Sequence, residues 1–179
     1  RLYSKHKFTI LITVPTLLKI ISLSKNTPPL NLKCLVTCGE PIDKKLIFEL
    51  ENKNKIKNFY NFYGSTEVAP WILSADLKLC LRNNLFIDNY APAGKPLDYI
   101  NLKLDKISKT LIAHGPQVSS GYLNYKSERF KKIGKFYSFN TGDIFYKNKG
   151  FFFCKGRIDH QFKKNGARLS ILNLEYNYK

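Results

Sequence analysis

A chain of 179 residues with 44% hydrophobic content is long enough and apolar enough to bury a core, which excludes an intrinsically disordered polypeptide. Its formal net charge of +17 raises nucleic acid or an anionic membrane as partners. Arg supplies few of its 30 basic residues, the Lys are scattered, and no basic block or RNA-binding aromatic motif is present, so no nucleic-acid partner is expected.

The longest greasy run, 8–23, is broken by Pro15 and Lys19 and is too short for a membrane span. Cys34, Cys38, Cys80 and Cys154 have no Cys-x-x-Cys spacing, and His6, His114 and His160 complete no zinc pattern. Reduced thiols in a cytoplasmic protein are the expectation. The chain starts at Arg1 without a signal-peptide pattern, stops inside a patterned region, and reads as a piece of a longer protein.

In chain order, 8–14 is a continuous apolar and β-branched run, a buried strand. Pro15 suits the first turn of a helix running to about Leu23. Residues 26–29 are loop, and 32–38 is a second buried strand ending at Gly39-Glu40. Pro41 and Asp43 open a helix with Ile42, Leu46, Ile47 and Leu50 on one face. The aromatic-rich run 56–63 is a third strand, ended by Gly64. Strand, helix, strand, helix, strand predicts a parallel sheet flanked by helices over 1–84. After the turn-rich junction 91–96, short strands are expected at 99–104, 110–113, 135–139, 144–146 and 151–155. Asn148-Lys149-Gly150 suits a hairpin turn between the last two. Residues 85–158 thus read as a small β-rich, barrel-like layer, and the fold class is α/β.

Four stretches carry chemistry. In Asn61-Phe62-Tyr63-Gly64-Ser65-Thr66-Glu67 a strand ends in a glycine, two hydroxyls and a carboxylate. Ligands of open α/β sheets bind at such strand ends, where a hydroxyl donates to phosphate and a carboxylate holds magnesium. The competing reading is a capped turn, with Ser65 or Thr66 capping the next helix. Cys38-Gly39-Glu40-Pro41 ends the second strand; alone it is an ordinary strand-to-helix turn, and it lies beside Gly64 if the two strands are neighbours. Asn140-Thr141-Gly142-Asp143 reads as a glycine turn followed by an acid suited to two ribose hydroxyls, or as an ordinary hairpin turn. Gly156 to Lys163, then Gly166 to Leu169, alternates charge with apolar residues; it reads as a solvated strand with surface Lys and Arg, or as one from which Arg157 offers a fork to ribose or phosphate oxygens.

Asn61 to Glu67 resembles the Asn-x-Tyr-Gly-x-Thr-Glu motif of amino-acid adenylation domains, members of the adenylate-forming ligases. Gly115 to Leu123 is similar to their Gly-x-x-Val-x-x-Gly-Tyr segment. Thr141-Gly142-Asp143 resembles their Thr-Gly-Asp, and 156–169 their Gly-Arg-x-Asp-x-Gln-x-Lys and Gly-x-Arg segment. The order of the motifs matches the family's over about 8–175. The Gly-Ser-Thr-Glu-Val wording also resembles D-alanine:carrier-protein ligases. Where the family has Gly-Glu ahead of the Gly-Tyr segment this chain has Lys109-Thr110, and Asn173 replaces a usual Glu.

The resemblance implies activation of an amino acid by ATP and magnesium as an aminoacyl-adenylate, with pyrophosphate released, then transfer to a phosphopantetheinyl carrier protein. It implies that Tyr63 stacks on adenine, with Cys38, Gly39 and Glu40 lining the base pocket and Gly64 and Ser65 beside the nucleotide. Thr66 would hold the α-phosphate, Glu67 the magnesium, and Asp143 and Arg157 the ribose. Asp159 would be a hinge, dividing 1–158, the end of a large domain, from 159–179, the start of a small one. Val36, Cys38, Phe62, Pro70 and Trp71 would face the acyl side chain, with Phe62 and Trp71 limiting it to a small amino acid.

By the same resemblance the phosphate loop and the catalytic lysine fall outside 1–179, so this stretch alone is expected to be inactive. Gln161 and Arg168 favour amino-acid adenylation over acyl-coenzyme A ligases. The alternatives are such a ligase, or a degenerate nucleotide-binding module.

Overall fold

A computed structural model describes residues 6–24, 28–159, 161–164 and 167–170. The first sheet contains β1 (Ile10–Thr13), β2 (Asn31–Cys38), β3 (Lys55–Gly64), β4 (Trp71–Asp76) and β5 (Lys95–Pro96), in that spatial order. β1, β2 and β3 are parallel, joined by helices α1 (Pro15–Leu23) and α2 (Lys44–Lys53). Pro15 occupies the first turn of α1, where its missing N–H costs nothing. Asp43 caps α2 by accepting from Leu46 N at 2.7 Å. Ile42, Leu46, Ile47 and Leu50 of the expected face are buried with Leu18, Leu35 and Phe59 in one core between sheet and helices.

The expectation of a parallel sheet holds only for these three strands. β4 and β5 run antiparallel, giving a mixed sheet. The reason is the link: a parallel crossover needs a dozen or more residues, and only Ser65 to Pro70 joins β3 to β4. Asp76 then caps a short helix, α3 (Leu77–Arg82), accepting from Lys78 N and Leu79 N.

The second sheet has β10 (Phe151–Arg157), β9 (Phe136–Asn148), β7 (Thr110–Gly115) and β6 (Asn101–Leu104), with β8 (Phe130–Ile133) also on β9. All its pairs are antiparallel. Among the described residues it is an open sheet, not closed into the barrel-like layer expected. Val68, Ile72 and Leu73 of the first sheet's edge region pack with Ile100, Leu111, Phe139, Phe145 and Phe152 in a second core. Gly94 ties the sheets together: it accepts from Phe152 N at 2.8 Å, and a Cβ there would meet Ser74 backbone at 2.1 Å.

The strands expected at 135–139 and 144–146 are one continuous β9. The glycine expected as a turn is a bulge inside it, with Gly142 at φ 73° and the β7–β9 register shifted nearby. The hairpin at 148–151 forms as expected, with Lys149 and Gly150 both left-handed. β11 (Gln161–Lys164) and β12 (Ala167–Ser170) pair with each other. His160, Gly166, Asn173 and Glu175 lie outside the described residues, as does most of the segment read as a second domain.

Candidate nucleotide-binding site

β2 and β3 are neighbours, with Cys38 opposite Phe62 in register. Side chains alternate across the pleat, so Asn61 and Tyr63 share one face of β3 while Tyr60 and Phe62 take the other. Val36 pairs with Tyr60 and Cys38 with Phe62, which puts Val36, Cys38 and Phe62 on a common face. The Phe62 ring stacks on Trp71 of β4 at 4.7 Å and 29°, and belongs to neither core. Pro70 is exposed and brings its carbonyl against Gly64.

Gly64 is needed for that approach rather than for a left-handed turn. A Cβ built on it would lie 1.7 Å from the Pro70 carbonyl oxygen. The chain then makes a 3₁₀ turn over Thr66–Val68, locked by buried Val68 and by Ala69 at φ 46°. Neither Ser65 nor Thr66 caps a following α-helix. Ser65 precedes the 3₁₀ turn without a capping bond, its hydroxyl buried and unpartnered, while Thr66 is exposed. A buried hydroxyl without a partner is costly, and a ligand oxygen would relieve it. Glu67 accepts from the Tyr122 hydroxyl, and its main-chain oxygen accepts from Ser119 N at 2.9 Å.

On the other face the Tyr63 ring sits edge-on to Phe145 at 4.9 Å, and its hydroxyl donates to Asp143 Oδ2. Burial, then the Asp143 charge, holds the phenol well above its ordinary pKa, so it stays a donor. Asp143 Oδ1 accepts from Arg157 Nη1 at 2.6 Å, the two residues being opposite each other in the β9–β10 register. Thr141 sets the strand here: its hydroxyl donates to Leu111 O and accepts from Asp143 N.

Arg157 also grips Asp159 with a fork, Nε to Oδ1 at 3.0 Å and Nη2 to Oδ2 at 3.2 Å. Burial pulls the guanidinium pKa down, but the Asp159 hydrogen bonds and the two carboxylate charges outweigh it and raise it. Arg129 adds a second cation on Asp159 Oδ2 at 3.0 Å. Its guanidinium lies over Gly142, where a Cβ would come within 3.1 Å of it.

The structure thus joins Tyr63, Asp143, Arg157 and Asp159 in one hydrogen-bonded row. It places Cys38 beside Phe62, and Glu67 one turn beyond Tyr63. Glu40 is engaged elsewhere: its Oε2 accepts from Thr16 N at 3.2 Å and from the Thr16 hydroxyl, at the positive start of α1. Gly39, at φ 84°, is the exposed bend between Cys38 and Glu40. Arg129 and Tyr122 were not singled out from sequence. Tyr122 lies in the Gly-Tyr segment already noted, whereas nothing near Arg129 signals a partner thirty residues away.

A carboxylate on a turn, an unpartnered buried hydroxyl and a row of acid and guanidinium groups are the equipment of a site for a nucleoside phosphate and its divalent cation. Among the described residues no three His, Cys, Asp or Glu cluster to hold a metal by themselves. A cation here would complete its shell with phosphate and water oxygens, which fits magnesium.

The AMP-binding enzyme family model matches residues 1–123, and the chain belongs to that family. It is 31% identical to the D-alanine–D-alanyl carrier protein ligase of Bacillus velezensis over 77% of this chain and 29% of that protein. In fold it resembles the Vibrio cholerae adenylation domain AlmE in complex with glycyl-adenosine-5'-phosphate, with a TM-score of 0.76 and 20% identity over 97% of this chain and 36% of that one. It also resembles the Bacillus subtilis O-succinylbenzoate coenzyme A synthetase in complex with ATP and magnesium, with a TM-score of 0.71 and 23% identity over 97% of this chain and 37% of that one. The chain spans about a third of the length of these relatives. It is part of an adenylate-forming domain related to carrier-protein ligases and peptide-synthetase adenylation domains.

Proposed function

We propose that the protein activates a small amino acid with ATP as the aminoacyl-adenylate, releases pyrophosphate, and passes the aminoacyl group to the thiol of a phosphopantetheinyl carrier protein. One observation carries the reading: Tyr63 from the first motif and Arg157 from the last converge on Asp143 of the third. In this reading Asp143 and Arg157 bind the ribose hydroxyls. Tyr63 flanks the adenine, with Cys38 and Gly39 bordering it. Glu40 braces that border through Thr16 rather than touching the base. Ser65 and Thr66 donate to phosphate oxygens, and Glu67 holds the magnesium.

The attacking carboxylate and the triphosphate repel each other, so these residues act by positioning and by neutralising charge. Magnesium, when bound, supplies further neutralisation of the phosphate charge. The Phe62–Trp71 stack fills the face that Val36 and Cys38 share, which favours alanine, glycine or serine over larger acids. Residues 1–158 form the end of a large domain in this account, Asp159 is the hinge, and 159–179 begins a small one. Residues 1–179 alone are not expected to complete the reaction, and the location is cytoplasmic.

The test is to incubate the full-length protein with ATP, magnesium and alanine, together with either a phosphopantetheinylated carrier protein or coenzyme A. Mass spectrometry should show the carrier gaining the aminoacyl mass. Labelling of coenzyme A instead identifies an acyl-coenzyme A ligase, and labelling of neither contradicts the transfer step.

A further inference from the structure

Glu67 occupies a three-residue 3₁₀ turn, a poor platform for a group that must meet a cation in a fixed place. The structure grips it from a distant segment. Ser119 N takes its main-chain oxygen at 2.9 Å, and the Tyr122 hydroxyl donates to its Oε1. One short stretch therefore holds both the backbone and the carboxylate.

That stretch is itself fixed. Val118 is buried in the second core, and its N–H reaches Gly115 O at 3.2 Å. The Ser119 hydroxyl donates to Gly121 O and accepts from Gly121 N, folding the segment back on itself. Gly121, at φ 148°, supplies a backbone conformation that other residues rarely adopt. The Tyr122 ring then stands edge-on to Phe130 at 5.2 Å and 87°, and Phe130 lies 4.7 Å from Phe139 of the core. The phenol oxygen is thus located by packing at the margin of the core, although the tyrosine is 42% exposed.

We propose that Tyr122 is a positioning residue that orients the Glu67 carboxylate toward the divalent cation of the bound nucleotide. The inference rests on the reading of Glu67 given above. A phenol donating to one oxygen leaves the carboxylate charged and removes its rotational freedom. Ligating carboxylates are held by such outer partners, whose loss costs about 10–100-fold in metal affinity or activity. Here the demand is sharper, because no cluster of protein ligands among the described residues would compensate for a misdirected carboxylate.

Tyr122→Phe removes the hydroxyl and keeps every ring contact, so the fold should be unchanged. Calorimetry on the full-length protein measures ATP binding with magnesium and with EDTA, no carboxylic acid substrate being present. The variant should bind ATP about tenfold more weakly with magnesium, and within about twofold of wild type in EDTA. In a Glu67→Gln background, Tyr122→Phe should have no further effect. Equal weakening in both buffers assigns Tyr122 to structure alone and overturns the inference. So does unchanged binding in a protein whose wild type responds to magnesium. A wild type whose ATP affinity ignores magnesium overturns the reading of Glu67, and the inference with it.

Discussion

Tyr63 and Asp143, eighty residues apart in the chain, are joined by one hydrogen bond between the end of the first sheet's central strand and the bulge of β9. The bond ties the position of a candidate base-stacking ring to that of a candidate ribose acid. Arg157 extends the row to Asp159, so the candidate nucleotide pocket and the candidate hinge share one set of charges.

Asp143→Ala should therefore do two things. It removes the proposed ribose acceptor, at about 1.5–3 kcal/mol for each charge-assisted bond. It also leaves Arg157 with half its counter-charge in a mostly buried setting, at a cost of about 2–3 kcal/mol of stability, below the full penalty for an unpaired ion because Asp159 remains. Calorimetry with ATP and urea denaturation of the same samples should both respond. Unchanged ATP affinity makes Asp143 a structural acid only.

Gly64→Ala should be severely destabilising. The added methyl meets main-chain atoms of Pro70, which no rotamer change relieves, so a loss of about 3 kcal/mol or more is expected in denaturant unfolding. Ala at Gly121 should be tolerated better, since nothing lies within 4 Å of its Cβ and only the backbone angle resists.

The Phe62–Trp71 stack sets the proposed substrate limit. Phe62→Gly should extend hydroxamate formation to larger amino acids such as leucine while weakening discrimination among the small ones, where one methylene decides about 1–3 kcal/mol. A folded Phe62→Gly protein with an unchanged substrate range removes Phe62 from the pocket wall.

Alkaline behaviour follows from the buried Cys80 and the partly buried Tyr63. Burial, then the Asp76 charge, pushes the Cys80 thiol up to about 12. Tyr63 is raised well above its usual value by burial and Asp143. For both, the native state holds its proton more tightly than the unfolded chain. Their contribution is complete below the unfolded values and is lost as pH rises, from about 9 for the cysteine and about 10 for the tyrosine. Cys80 should resist iodoacetamide in the native protein at pH 8.5 and react once urea unfolds it. Native labelling at the unfolded rate contradicts its burial.

Much of the first half was legible because its signals are local. The β-branched run 32–38, Asp43 ahead of an apolar face, and the aromatic run into Gly64 each specify their element without help from elsewhere. No strand was expected at Trp71–Asp76, a short run without turn signals of its own, and the antiparallel direction of β4 follows from the shortness of the Ser65–Pro70 link. Asn140 to Asp143 reads as a turn because a left-handed glycine serves a turn and a bulge equally; Leu111 accepting from Thr141 keeps the strand continuous. Of the candidate site, the motif residues were visible through their resemblance to the motifs of adenylation domains. Their connections through Arg129 and Tyr122 were not, because each partner lies far away in sequence.

ATP–pyrophosphate exchange by the full-length protein tests the central claim most directly. Alanine, glycine or serine should drive exchange well above the rate without amino acid, and phenylalanine, tryptophan and long-chain fatty acids should not. Exchange driven best by a large or non-amino acid, or by none of the acids supplied, contradicts the account.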